Sequence, residues 1–350
     1  MNVPARREAS PEPLVSVVTP FHNTVAYLPE CIESVLAQTY TNFEYVLVDN
    51  KSTDGSREVA DRYAAIDPRI IVLENDTFLD QLRNFNGAVA RINPASKYCK
   101  MVLGDDGLFP DCLTMMVAAA ERDTGIGIVG AYFLDGDRVA GHGIARTESV
   151  VTGSEVCRRM LRHEYYLMGS PTAVLYRADI VRSRVPFFSP DRYHADTEVS
   201  YEILLDHDLG FVHQVLSFMR ADNDSITSTR RRYYPYLLDR LIVVERYGPA
   251  VLGDRELRAV RSTARRNYFN YLARSLLARH DRGFWQYHRD GLATIGWRLR
   301  RRDLLPRSLA EVARFALNPQ HTLARCVAAL RSNARARVPR AIESRLRAAG

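Results

Sequence analysis

Four short apolar runs, at residues 14–20, 43–48, 70–73 and 98–103, restrict what this chain can fold into. Each is too short for a self-burying helix. Each is rich in Val, Ile or aromatic residues, as strands covered on both faces are. The segments between them carry helical spacing, clearest in Leu28, Cys31, Ile32, Val35 and Leu36, which share one face of a predicted helix over 25–38. Further helices are expected over 57–65 and 81–90, with a helix cap at Ser52 or Thr53 before the first and Asp54 as an added capping acid. Strand alternating with helix predicts an α/β fold with a mostly parallel sheet and right-handed crossovers. Ligands of such sheets bind beyond the carboxyl ends of the strands. Asn23, Asp49 and the pair Asp105–Asp106 all stand at that end.

The acid pair has a definite setting. Met101, Val102 and Leu103 lead into Gly104, which breaks the strand; Asp105 and Asp106 follow, and Gly107 and Pro110 turn the chain toward a new element near Asp111. Two adjacent carboxylates at the end of a buried strand repel one another. A divalent cation carrying phosphates would relieve that repulsion, and so would plain solvation of an Asp-Asp-Gly turn.

Length and composition set outer limits. The chain has 350 residues, 46% hydrophobic and 25% charged, as a folded water-exposed protein of one large or two ordinary domains would. No apolar run approaches a membrane span, and the polar segment 1–13 reads as a flexible tail without a secretion signal. Five scattered cysteines without a C-x-x-C predict reduced thiols in the cytoplasm and no zinc site. The net charge of +7, almost all from arginine, suits an anionic partner without choosing one. No P-loop motif is present, and the bases and aromatics form no recognised nucleic-acid motif, so no nucleic acid is expected.

The segments Val-Ser-Val-Val-Thr-Pro-Phe-His-Asn, Tyr-Leu-Pro-Glu-Cys-Ile-Glu-Ser-Val-Leu, Phe-Glu-Tyr-Val-Leu-Val-Asp-Asn-Lys-Ser-Thr-Asp-Gly-Ser and Leu-Gly-Asp-Asp-Gly-Leu-Phe-Pro-Asp resemble the inverting family 2 glycosyltransferases of GT-A fold. The likeness is ordered over roughly the first 115 residues and traceable to about residue 229. It implies a GT-A domain over 14–229, a nucleoside-diphosphate sugar donor, and Mg²⁺ or Mn²⁺ as cofactor. UDP is the first choice of donor nucleotide and dTDP the next. The implied acceptor is a hydroxyl of a glycan, a lipid-linked glycan or a small molecule.

The resemblance also implies roles. Pro20, Asn23 and Asp49 surround base and ribose, with Asn50 where many relatives have a second Asp. Arg83 and Asn84 match a short Arg-Asn motif beside the nucleotide; a solvated helix position is the other reading of Arg83. Asp106 ligates the metal directly, while Asp105 touches ribose or a metal-bound water. Asp196 is the general base, unless it only caps the helix that starts near it; Glu198 is the reserve. Asp222 stands where relatives often have a His that completes metal or phosphate binding, and Arg220 is a phosphate candidate. Gly169, Ser170 and His194 fall on the acceptor side, where Tyr165, Tyr166 and Met168 could stack on a sugar or belong to the core.

Residues 230–350 read as a helical, Arg-rich region, with apolar positions Leu237, Leu238, Leu241, Ile242 and Val244 opening it. Its basic tail either packs on the rest of the chain or rests peripherally on anionic lipid at the inner face of a membrane. Two alternatives to glycosyl transfer stand: a nucleotidyltransferase, which would call for a Gly-rich loop that residues 19–24 lack, and a non-catalytic nucleotide or glycan binder.

Overall fold

The computed structural model describes residues 12–162, 167, 169–190, 194–220, 236–276, 280–300, 302 and 304–309. The chain divides into two compact units, Met1–Arg261 and Ser262–Gly350.

The first unit is built on one ten-stranded sheet. Strands β1 (Val15–Phe21), β2 (Phe43–Asp49), β3 (Ile70–Glu74) and β4 (Tyr98–Met101) alternate with helices α1 (Leu28–Leu36), α2 (Ser56–Ala64) and α3 (Gln81–Val89). All neighbouring pairs among these four strands are parallel, with Val18 between Val46 and Met101. β1 is buried along its whole length. Its two inward hydroxyls are satisfied: Ser16 Oγ lies 2.6 Å from Ser96 Oγ, and Thr19 Oγ1 lies 3.1 Å from the Tyr45 hydroxyl. Helix α1 buries Leu28, Cys31, Ile32 and Val35, the stripe that the spacing predicts. The predicted cap of α2 is corrected. Gly55, at φ +94°, takes the cap position, and Ser52 Oγ instead accepts the Asn23 N–H at 3.1 Å. Asp54 does serve the first turn, accepting the Ser56 N–H at 3.0 Å.

The second half was not readable as a parallel repeat. It comprises β5 (Gly107–Leu108), α4 (Cys112–Ala120), β6 (Ile126–Asp135), β7 (Arg138–Ala140), β8 (Val150–Val151), α5 (Gly153–Leu161), a single 3₁₀ turn (Pro171–Ala173), β9 (Val174–Arg177), α6 (Ala178–Ser183), α7 (Ala195–Leu204) and β10 (Asp208–Met219). The sheet order is β3-β2-β1-β4-β9-β6-β10-β5. β9 runs antiparallel between β4 and β6, while β6 and β10 pair in parallel along most of their length. The sheet is therefore mostly parallel, as expected. Helix α8 (Tyr236–Val251) follows, burying Leu238, Leu241, Ile242 and Val244.

Helix α9 (Asp254–Ser275) crosses the division of the chain, and α10 (Arg282–Ala293) lies within the second unit. There Tyr268, Leu272, Phe284, Leu292 and Leu304 are buried together with His288, whose Nδ1 lies 3.1 Å from the Tyr268 hydroxyl. No described helix is long and apolar enough to cross a membrane.

Candidate active site

The carboxyl rim of the sheet is assembled from strand ends. Phe21 at the end of β1 pairs with Asp49 at the end of β2. The acid pair follows β4 after Val102, Leu103 and Gly104. A Cβ on Gly104 would lie 3.0 Å from Phe21 Cβ and 3.2 Å from Thr24 Oγ1, so the missing side chain lets the acid loop close onto the β1–α1 loop. The two-residue strand β5 then pairs antiparallel with the end of β10, Gly107 opposite Phe218. That pairing carries Asp106 to the start of the segment leaving β10.

Asp106 is only 6% exposed. Its Oδ2 accepts the Thr172 hydroxyl at 2.6 Å and faces the Ser170 hydroxyl at 3.4 Å; its Oδ1 accepts the Arg220 N–H at 3.2 Å. Burial, and then the neighbouring Asp105 charge, push its carboxyl up to about 7 despite these three donors. Desolvation and the Asp105 charge together outweigh these donors. Arg220 closes the same corner. Its Nε donates to the Asp105 carbonyl at 3.2 Å and its Nη2 to Glu30 at 2.7 Å, and its guanidinium lies 4.6 Å from the Tyr27 ring centre.

The nucleotide-side candidates form a second group. The buried Asp49 carboxylate accepts the Ser52 N–H at 3.0 Å. Asn23 adopts φ +51°, and its Oδ1 accepts the Thr53 N–H at 2.8 Å, which locks the β1–α1 loop to the loop after β2. Pro20 lies within β1. Asn50 anchors the loop ahead of α3: its amide exchanges bonds with the Leu79 backbone, and its Oδ1 also accepts Asn75 Nδ2 at 3.0 Å. Asn75 Nδ2 also donates to Asn84 Oδ1 at 2.9 Å. A second Asp at position 50 could not donate to the Leu79 carbonyl, which gives the departure from the family pattern a structural reason. Asn84 is thus buried in this amide chain, whereas the Arg83 side chain is 66% exposed and paired with Asp80 at 2.6 Å.

Helix α7 returns the chain to β10, which starts beside Ile126 at the start of β6. Asp196 sits in its first turn, half-buried, with Oδ1 accepting the Thr197 N–H at 2.8 Å. His194, not Asp196, occupies the cap position, and no side-chain cap bond is made there. Desolvation raises the Asp196 carboxyl above its ordinary value, against the opposing pull of His194. His194 Nε2 lies 3.3 Å from Asp239 Oδ2 of α8. Glu198 is buried and committed elsewhere: it pairs with Arg246 and accepts the Tyr247 hydroxyl at 3.1 Å. Gly169 packs where a Cβ would meet the Phe133 ring at 2.7 Å, and Ser170 turns its hydroxyl toward Asp106. Tyr165, Tyr166, Met168 and Asp222 lie outside the described residues.

Sequence reasoning passed over Thr172 and Lys100. Lys100 on β4 is fully buried, with Nζ donating to the carbonyls of Thr172 at 2.7 Å and Val174 at 3.2 Å. A lone charge inside an apolar strand was the available signal, because burying an unpartnered ammonium costs several kcal/mol or more. Among the described residues no three His, Cys, Asp or Glu converge as a metal cage.

Sheet order and rim define a GT-A-type architecture. Structures of similar fold include TarS 1–349 of Staphylococcus aureus in complex with UDP-GlcNAc, with TM-score 0.58, 15% identity and 80% of each chain covered. Another is the mannosyltransferase PcManGT of Pyrobaculum calidifontis in complex with GDP-Man and Mn²⁺, with TM-score 0.50, 14% identity, and 88% of this chain and 87% of that one covered. Residues 16–182 match the family described as Glycosyl transferase family 2. The chain is 37% identical over 123 residues to the glycosyltransferase GlyG of Streptococcus pneumoniae, covering 34% of this chain and 39% of that protein. It is 28% identical over 240 residues to the putative glycosyltransferase EpsE of Bacillus subtilis, covering 66% and 81%. The chain thus spans about two fifths of GlyG's length.

Proposed function

We propose that this protein is an inverting glycosyltransferase with residues 14–229 as its catalytic domain. In this reading it moves a sugar from a nucleoside diphosphate, UDP before dTDP, to the hydroxyl of a glycan, a lipid-linked glycan or a small molecule. The observation that carries the reading is the Asp105–Asp106 corner: two acids following β4 at the carboxyl rim, one buried and pushed up to about 7, beside an arginine. Such a corner is complementary to a cation bearing a diphosphate. The UDP-GlcNAc held by TarS and the GDP-Man and Mn²⁺ held by PcManGT, on similar folds, support the same chemistry.

Mg²⁺ or Mn²⁺ fits this donor set as a cation bound through few protein ligands, Asp106 foremost, with phosphate and water supplying the others. When bound, it offsets charge on the departing diphosphate. The chain's own residues do the rest. Asp49 accepts hydrogen bonds from base or ribose, near Asn23 and Pro20; Asp105 serves the ribose side, and Arg220 adds positive charge at the phosphates. Asp196 takes the acceptor hydroxyl's proton; its raised pKa brings it closer to the working pH of a base. Arg83, Gly169, Ser170, His194 and Asp222 stay as candidates, and contact of the Arg-rich tail with anionic lipid stays a proposal.

The test is a transfer and hydrolysis assay with UDP-, dTDP- and GDP-sugars in MnCl₂. Turnover of one donor class, lost in Asp106→Asn and Asp196→Asn, is expected. Absence of nucleotide binding and of turnover across the set would overturn the reading.

A further inference from the structure

Lys100 and Thr172 carry an inference that rests on the reading above and reaches past the residues that touch substrate. Lys100 is the sole charged residue of the run 98–103 and has no exposed surface. Its Nζ donates to the Thr172 carbonyl at 2.7 Å, the Val174 carbonyl at 3.2 Å and Met116 Sδ at 3.5 Å, with the Cys112 thiol as a further neighbour. Those carbonyls belong to the 3₁₀ turn and the first residue of β9, the strand next to β4 in the sheet. An apolar side chain could fill the same volume without desolvating a charge. What the lysine adds is a fixed grip on the backbone at residues 172 and 174.

Thr172 passes that grip on. It too is fully buried, and its hydroxyl makes two contacts at once, accepting the Leu103 N–H at 3.1 Å and donating to Asp106 Oδ2 at 2.6 Å. One residue thereby joins the buried lysine, the end of the β4 segment and the metal-side carboxylate. The Ser170 hydroxyl, at 3.4 Å, is too distant to hold Asp106 alone. We propose that Lys100 and Thr172 are positioning residues, which orient the Asp106 carboxylate to receive a cation and its diphosphate. Neither touches substrate. They act through Asp106, as outer groups orient the ligands of a metal.

The experiment is calorimetric titration of the full chain with UDP, dTDP and GDP, in MnCl₂ and in EDTA, at a temperature where each variant is folded by its melting curve. If the native protein binds none of the three, the glycosyltransferase reading fails, and this inference fails with it. If it binds one, Lys100→Met and Thr172→Val are expected to weaken the Mn²⁺-dependent affinity by about 10- to 100-fold. The affinity in EDTA stays unmoved, and Thr172→Ser restores binding because it keeps the hydroxyl. General loosening of the fold would weaken binding in both conditions and would not be rescued by serine. Should Lys100→Met not fold, the valine and serine variants decide alone, since the relay runs through that hydroxyl. The inference is overturned if Thr172→Val or a folded Lys100→Met matches the native Mn²⁺ dependence, or if Thr172→Ser is as defective as Thr172→Val.

Discussion

Asn86 and Phe188 exchange two hydrogen bonds. The Asn86 amide donates to the Phe188 carbonyl at 2.7 Å, and its Oδ1 accepts the Phe188 N–H at 2.8 Å. A side chain on α3 thus imitates a neighbouring strand for a segment with no ladder of its own. The adjacent Phe85 and Phe188 rings meet edge to face with centres 6.0 Å apart. Asn86→Ala removes both bonds at once and leaves two backbone groups to find water. It should cost about 1–3 kcal/mol of stability, read from urea denaturation. Asn86→Asp should cost more, because a carboxylate cannot donate to the carbonyl.

Asp196→Asn should abolish transfer and yet strengthen the fold. Burial raises this carboxyl above its ordinary value of 3.8, so the folded chain holds that proton more tightly than the unfolded chain does. As pH rises from 3.8 through the raised value, stability therefore falls, and the full penalty is present only above the raised value. The asparagine variant should melt higher than the native protein at pH values above the raised value, with the gap closing as pH is lowered through that window. In the native protein kcat/KM should drop as pH falls through the raised value, because a protonated Asp196 cannot act as base.

Glu198 should behave in the opposite way. It is tied to Arg246 and the Tyr247 hydroxyl, inside the packing of α7 against α8. Removing one partner of a buried ion pair leaves the other uncompensated, so Arg246→Met should lose about 3–5 kcal/mol. Glu198→Gln should lower the melting temperature while its folded fraction keeps turning over. Loss of turnover in folded Glu198→Gln, with turnover retained in Asp196→Asn, would reverse the two assignments.

Asp106→Asn should reduce transfer by about two orders of magnitude or more, as removing one electrostatic partner of a transition state does. Titration with UDP separates this variant from Asp196→Asn: the Mn²⁺-dependent part of binding should fall only in Asp106→Asn.

Gly153→Ala should be among the most damaging substitutions outside the rim. A Cβ at this position would lie 2.0 Å from the carbonyl oxygens of both Leu204 and His207, which are backbone and cannot swing away. A cost of at least about 3 kcal/mol is expected, seen as loss of soluble folded protein or a large drop in melting temperature.

The first four strands and three helices were legible because each is local. An apolar run of four to six residues and a helical stripe such as Leu28, Cys31, Ile32 and Val35 need no distant partner to be recognised. Ends were less legible. β4 stops at Met101, since the Leu103 N–H goes to the Thr172 hydroxyl and not to a strand neighbour. The β6–β10 pairing joins residues more than eighty positions apart, and the reversed β9 lies between β4 and β6; neither leaves a mark in a short window of sequence. In the site, the acids were visible as a motif, while their supports were not. Thr172 and Lys100 look like an ordinary turn residue and an oddly charged strand residue until the sheet sets them side by side.

The reversed direction of β9 affects how this architecture can diversify. A strand that runs with its neighbours meets the chain ahead of it at the far rim and releases it at the reactive one. β9 does the opposite: Ser170 and Thr172 arrive at the reactive rim before the strand starts, and Arg177 leaves at the other side. Insertions ahead of β9 would therefore lengthen the chain at the rim that carries Ser170, Thr172 and Asp106, without disturbing any parallel crossover. That rim could be remodelled there while the parallel half, β1 to β4, stayed fixed.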